Sequence, residues 1–155
     1  MTLTGWRIVP AEKAATAFDG EGARRFGGRW NPIGIAMVYA SEHLSLAALE
    51  VRVHIDKTSL QKRYKRIAIR FSEDLVETLS NRILPKNWKH EPPPPNLQQI
   101  GANWVESGKS VILAVPSVII PDERNFLINP RHPNFSKLKI DAPADFTFDQ
   151  RLFAT

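Results

Sequence analysis

Apolar residues recur along this chain with two spacings, and each spacing predicts a different element. WRIV (6–9) and IAMVYA (35–40) are short apolar runs bounded by polar or turn-forming residues and predict strands, as does KRIAIRF (65–71). In EHLSLAALEVRVHI (42–55), Leu44, Ala47, Ala48, Val51 and Ile55 follow the i, i+3, i+4, i+7 pattern of an amphipathic helix, and Ser41 stands where its N-cap belongs. NLQQIGANWVES (96–107) predicts a second helix capped by Asn96. Between them, the acidic residues after Phe71 predict a turn or short helix, and NRILP (81–85) a strand. SVILAVPS and VII (110–120) predict a strand interrupted at Pro116, and FLINP (126–130), KLKI (137–140) and FTFDQRLF (146–153) three short ones. EPPPPN (91–96) is a surface connection, because proline fixes φ and removes the backbone donor. Short strands with two clear helices predict an α+β fold rather than a βαβ repeat.

Length adds that this is one domain. A chain of 155 residues can bury roughly two-thirds of its unfolded surface without staples. The absence of cysteine removes disulfides, thiol nucleophiles and thiolate metal sites. The start MTLTGWRIVP has neither the basic nor the apolar region of a leader, and no apolar run reaches membrane-spanning length, so a cytoplasmic protein without membrane contact is expected. The net charge of +5 is uneven: residues 1–70 carry twelve Lys/Arg against six Asp/Glu, the remainder nine against ten. The first half therefore attracts anions, whether nucleic acid, nucleotide or an acidic protein.

That field is concentrated in GARRFGGRWN (22–31), which holds three arginines, three glycines and two aromatics and no acid. Five of the eight glycines (Gly20, Gly22, Gly27, Gly28, Gly34) fall within fifteen residues. Clustered glycine implies a left-handed backbone or a close approach to the main chain, and adjacent arginines imply an anion, so the segment is a candidate anion site. It is neither a Walker loop nor a dinucleotide fingerprint, since no Lys-Ser pair follows. Phe26 and Trp30 among arginines could stack bases, which keeps RNA binding as an alternative.

Glu50 is the second candidate. On the helix it aligns with Leu46, Leu49 and Val53, a second apolar stripe, and an acid so placed is either paired with a cation such as Arg29 or Arg52, or catalytic. His43, Glu50 and His54 share a face but offer no fixed third ligand, so no metal is expected. No G-x-S-x-G elbow supports a serine triad.

Taken in order, GEGARRFGGRWNPIGIAMVYAS, LSLAALEVRVH, VPSVIIPDERNFLINPRHPNF and FTFDQRL resemble the RES-domain family from Trp6 to Leu152. The family comprises toxins of type II toxin–antitoxin pairs, similar in fold to ADP-ribosyltransferases and understood to destroy NAD by hydrolysis or phosphorolysis. The resemblance places the family's arginine on Arg29, its tyrosine on Tyr39, its glutamate on Glu50 and its serine on Ser117, with Ser41 and Ser45 as alternatives nearer Tyr39. It implies a single RES domain over residues 1–155 with mixed or antiparallel sheet and flanking helices. NAD is then substrate rather than cofactor, and phosphate a possible co-substrate. Gly28, Arg29 and Tyr39 would bind NAD, the loop's main-chain donors and guanidinium groups holding its pyrophosphate. Glu50 would stabilise the cationic ribose as nicotinamide leaves. The partner implied is an antitoxin with a helix-turn-helix domain, through which alone the pair would meet DNA; a homodimer is possible, and a protein acceptor for ADP-ribose is an alternative to water or phosphate.

Overall fold

The computed structural model describes residues 1–154. Its frame is a sheet of β1 (Thr2–Pro10), β2 (Val38–Ser41), β3 (Tyr64–Ser72), β4 (Val76–Thr78), β5 (Ile112–Pro116), β6 (Arg124–Ile128), β7 (Lys139–Ile140) and β8 (Ala144–Phe146). The order is β4-β5-β6-β2-β1-β3-β7, with β8 also on β3. Only β4 and β5 run parallel, so the sheet is mixed, as the α+β expectation requires. Three α-helices, α1 (Glu21–Phe26), α2 (Leu44–Arg52) and α3 (Pro95–Ser107), join the strands among the described residues.

The central strands are buried on both faces, which is why they read as unbroken apolar runs. Alternation sends Ile112 and Ala114 with Val38, Ala40, Phe126 and Ile128 into one core layer. Leu113, Val115 and Leu127 go into the other, against Leu97 and Trp104 of α3 and against Trp30. Helix α2 lays Leu44, Ala47, Ala48 and Val51 onto Trp6 and Ile8 of β1, the stripe the spacing predicts, joined by Ile55 just beyond its end. The second stripe is only partly apolar in the fold: Leu46 is buried and Val53 is exposed.

Several boundaries move. The first strand runs four residues earlier than WRIV, because its full length pairs with β3 from Thr2↔Ser72 to Pro10↔Tyr64. The second is confined to 38–41, and Ser41 ends it rather than capping α2: its hydroxyl donates across the sheet to Asn125 Oδ1 at 2.7 Å, and His43 takes the N-cap position without a side-chain bond. Asn96 does not cap α3, which begins one residue earlier with Pro95 at its first position, where a missing N–H costs nothing. NRILP is a 3₁₀ turn at Asn81–Ile83 rather than a strand, while the acidic segment forms the short helix expected of it, a 3₁₀ turn at Glu73–Leu75, and leads into β4, too short to show a period. Pro116 ends β5 outright, and residues 118–120 are not strand. The C-terminal FTFDQRLF divides: β8 ends at Phe146, and Gln150–Phe153 is a 3₁₀ turn with Asp149 as its cap.

The glycine-rich stretch is not one long loop. A 3₁₀ turn at Ala11–Thr16 and the short α1 structure it, and α3 holds it down. A Cβ on Gly101 would stand 1.6 Å from the Trp30 carbonyl oxygen, so α3 reaches this segment only because that position has no side chain. Glycine within a helix costs about 1 kcal/mol relative to alanine, and here that cost secures the packing of Trp30.

Candidate active site

Strand β2 is the spine of the site, and each of its polar groups is taken by a different element. Near its start, Tyr39 is half-buried under the arginine-rich segment: its hydroxyl donates to Asn31 Oδ1 and accepts from the Trp30 N–H at 3.0 Å. Burial pushes its phenol well above the ordinary range, so it stays protonated at any physiological pH. Gly28 is fixed by the same contact, since a Cβ there would lie 2.7 Å from the Tyr39 hydroxyl and 2.8 Å from Asn31 Oδ1.

Beyond Trp6↔Ser41, the single paired position between them, β1 and β2 separate. Arg7 fills the split. Its Nη1 donates to the Tyr39 carbonyl, standing in for a ladder bond, while its Nε is buried with no partner at all. Burial lowers the guanidinium to about 10, with the charge of Asp19 working in the opposite direction. No carboxylate forms a salt bridge with it among the described residues. Arg7 was not among the candidates read from the sequence, although an arginine inside the apolar run WRIV was the signal available.

Arg29 lies on the other side of Tyr39, near enough for its charge to act on that phenol, but its fork is engaged. Nη1 donates to the carbonyls of Trp88 at 3.1 Å and His90 at 2.9 Å, and Nη2 pairs with the exposed Glu91. The main-chain donors of the loop are also spent internally: Gly27 N on Ala23 O, Gly28 N on Asn31 O, and Trp30 N on Tyr39. The expected backbone cradle for phosphate is therefore absent at these three residues, and the glycines serve packing instead. Arg24 is paired with Glu21 and Trp30 is buried, so the basic and aromatic surface of the stretch comes down to exposed Arg25 lying 5.5 Å over the exposed Phe26 ring.

At the far end of β2, Glu50 projects from α2 and pairs with neither Arg29 nor Arg52. Arg52 instead donates to the Leu152 and Ile55 carbonyls and lies 4.2 Å from the Phe153 ring centroid. Two neutral donors hold one oxygen of Glu50: Ser117 Oγ at 2.8 Å and Asn125 Nδ2 at 2.7 Å, both to Oε1. Oε2 has no partner among the described residues and is not sealed from solvent. Ser117, fully buried, is itself fixed because its oxygen accepts from the N–H groups of Ile119 and Ile120 at 3.1 and 3.2 Å. Its proton is thereby committed to Glu50. Asn125, in β6, was not read as a site residue; nothing in FLINP or its flanks marks it without the pairing of β6 with β2.

The structure thus brings Gly28 to Tyr39 and Ser117 to Glu50 by direct contact. It connects the two halves through β2, and leaves Arg29 facing the segment 88–91. Ser45 is exposed and Ser41 serves Asn125, so Ser117 is the serine that meets the glutamate. An open groove of about 470 Å³, lined by Leu84, Lys86, Trp88, Pro116 and Pro121 among others, runs between the residue that accepts from Arg29 and the residue preceding Ser117. No helix among the described residues is long and apolar enough to cross a membrane.

Comparison with known proteins places this geometry in a family. Residues 4–149 match the RES domain. The chain is 38% identical over 148 residues to a protein named Toxin Res from Yersinia enterocolitica, covering 95% of this chain and 97% of that one. It is 35% identical over 157 residues to a Prs ADP-ribosylating toxin of a Sphingobium species, covering 98% of each. In fold it is similar to the M. tuberculosis MbcT–MbcA toxin–antitoxin complex, with a TM-score of 0.78, 21% identity and coverage of 99% of this chain and 87% of that one. With the RES match spanning nearly the whole chain and relatives of 35–38% identity covered almost end to end, this protein belongs to the RES-domain family.

Proposed function

We propose that this protein is the toxin of a toxin–antitoxin pair and that it breaks the nicotinamide–ribose bond of NAD. The observation that carries the reading is Glu50: a half-buried carboxylate with one oxygen held by two neutral donors, the other free, and no cation to neutralise it. Such a group is poor scaffolding, since a structural carboxylate is normally paired, but it suits a positive charge that appears only during reaction.

In this reading nicotinamide leaves with the electron pair of its bond to the ribose, which neutralises its ring nitrogen and needs no general acid. The ribose carbon becomes cationic, and Glu50 Oε2 stabilises it by charge and by accepting from a ribose hydroxyl. An acceptor oxygen from water, phosphate or a protein side chain then closes the bond and sheds its proton where it has one. Ser117 does not touch substrate; it orients Glu50. Tyr39, protonated and bonded to Trp30 and Asn31, keeps the arginine-rich segment rigid against β2. Arg7, half-buried with Nε sealed and the rest of its fork incompletely bonded, is held in place for one phosphate. Arg29 takes another by exchanging Glu91, while the Trp88 and His90 carbonyls keep its fork aimed. Of the three arginines in the stretch, Arg24 and Arg29 are paired to acids and only Arg25 is left for the basic RNA-binding alternative.

The Toxin Res relatives and the toxin–antitoxin neighbour support the biological role, and the ADP-ribosylating relative keeps a protein acceptor open. The test is incubation of purified protein with NAD, with and without inorganic phosphate, followed by identification of every product. Release of nicotinamide is expected, and the fate of the ADP-ribosyl group names the acceptor. Intact NAD under both conditions and with cell extract as acceptor contradicts the reading. In cells, expression alone should arrest growth and the cognate antitoxin should relieve it.

A further inference from the structure

The donor pair on Glu50 is asymmetric in origin. Ser117 sits in the turn after β5, whereas Asn125 belongs to the middle of the sheet, directly across from Ser41 of β2 and Val115 of β5. A side-chain amide has two ends of opposite character, and in Asn125 both are used: Nδ2 donates to Glu50 Oε1, and Oδ1 accepts from the buried Ser41 hydroxyl at 2.7 Å. Turning the amide over would set its oxygen against the carboxylate, so Ser41 and Glu50 together hold it one way round. The charged groups flanking this pair do not compete, because Glu42 and Arg124 bond each other, Nε to Oε2 at 3.0 Å and the Arg124 N–H to Oε1 at 2.8 Å. The result is a fixed line from the sheet to the carboxylate: Ser41, Asn125, Glu50.

We infer that Asn125 is a positioning residue for the reaction, with Ser41 setting its orientation, and that the line turns Glu50 so that Oε2 alone faces the substrate. The inference rests on the role proposed above for Glu50. Placing both donors on Oε1 has a chemical consequence: that oxygen is saturated and the unspent lone pairs are concentrated on the other. Without Asn125 the carboxylate keeps its charge but is held by Ser117 alone, so it turns more freely about its last torsion and its preorganisation weakens. Loss of preorganisation acts on the transition state and not on ground-state binding, so it falls on kcat.

Kinetics of NAD consumption with Asn125→Ala, Asn125→Asp and Ser41→Ala, each with a melting curve, test this. Asn125→Ala should lower kcat roughly ten- to hundredfold while KM for NAD stays within about threefold. Ser41→Ala should lower kcat by about three- to tenfold alone and by nothing further in the Asn125→Ala background, because the hydroxyl acts only through the amide. Asn125→Asp keeps the shape and the bond from Ser41 but sets a second carboxylate against the first, so the acid limb of its activity profile should move to higher pH. Wild-type kcat in Asn125→Ala overturns the inference, as does an additive Ser41→Ala effect. Should Asn125→Ala fail to fold, wild-type kcat in Ser41→Ala together with an unmoved acid limb in Asn125→Asp overturns the inference instead. Glu50→Gln separates the two levels: if it stays active, the proposed reaction itself is wrong, whereas an inactive Glu50→Gln beside a normal Asn125→Ala refutes the positioning role alone.

Discussion

Arg7 and Arg29 stand on either side of Tyr39, and the fold treats them in opposite ways. Arg29, on an irregular segment, has its fork filled by two carbonyls and a carboxylate. Arg7, on a strand in the middle of the sheet, makes one backbone bond, leaves Nε orphaned and pays for its burial with a lowered pKa of about 10. Elementary energetics predicts the reverse: the cation in the sheet should be the satisfied one, because an unpaired buried charge is among the more costly things a fold can carry. In the reading proposed above, a phosphate reaching the rest of the Arg7 fork would offset that cost. A charge satisfied at the rim by an exposed acid is explained by a partner that can be exchanged.

Substitutions can break this contrast. Arg7→Met keeps much of the volume and removes the half-buried cation; it should cost no more than about 1 to 3 kcal/mol of stability, for the bond lost to the Tyr39 carbonyl, yet lose roughly 2 to 5 kcal/mol of transition-state stabilisation in kcat/KM. A lower melting point with normal turnover would make Arg7 a structural strut. Arg29→Met should do both kinds of damage, weakening NAD turnover and costing about 1 to 3 kcal/mol of stability, because the 88–91 segment loses its charged anchor. Tyr39→Phe strands Asn31 Oδ1 and the Trp30 N–H and should cost about 1 to 3 kcal/mol without abolishing turnover. Its sign with pH is definite: burial raises the folded phenol above its ordinary value of 10.0, so above pH 10 the unfolded chain loses a proton that the folded one keeps, and stability falls. Wild type should therefore lose stability relative to Tyr39→Phe as pH rises past 10, and parallel curves would show that the phenol is not buried in solution. Smallest is Glu91→Gln. With Glu91 largely exposed, its pair with Arg29 contributes at most about 1 kcal/mol, and its removal should lower KM for NAD by no more than a few-fold. A raised KM would mean that Glu91 helps substrate bind instead of yielding to it.

The same two arginines mark what the chain discloses and what it withholds. Arg29 is legible because it sits among glycines, where composition is odd; Arg7 is hidden because WRIV reads as an ordinary strand, and only the parting of β1 from β2 makes its position unusual. Period-based features transfer well, as the α2 stripe of Leu44, Ala47, Ala48 and Val51 and the runs of β3 and β5 show, since burial on one face or both leaves its pattern locally. Caps transfer poorly: Ser41 and Asn96 have the composition of N-caps, but a cross-strand amide and a proline at the first helical position took precedence. Glu50 is visible as a carboxylate on an apolar stripe, while its donors are not, because Ser117 and Asn125 lie 67 and 75 residues away and meet it only through the β5–β6–β2 register.

The central claim is that Glu50 is an unpaired carboxylate kept for a cationic transition state. Glu50→Gln measured for NAD turnover and thermal melting on one preparation tests it most directly. The amide preserves shape while removing a charge that no cation balances. Glu50→Gln should melt at or above the wild-type temperature, retain NAD binding, and release nicotinamide roughly a hundredfold or more slowly. A large fall in melting temperature with near-normal nicotinamide release would contradict it and return Glu50 to the scaffold.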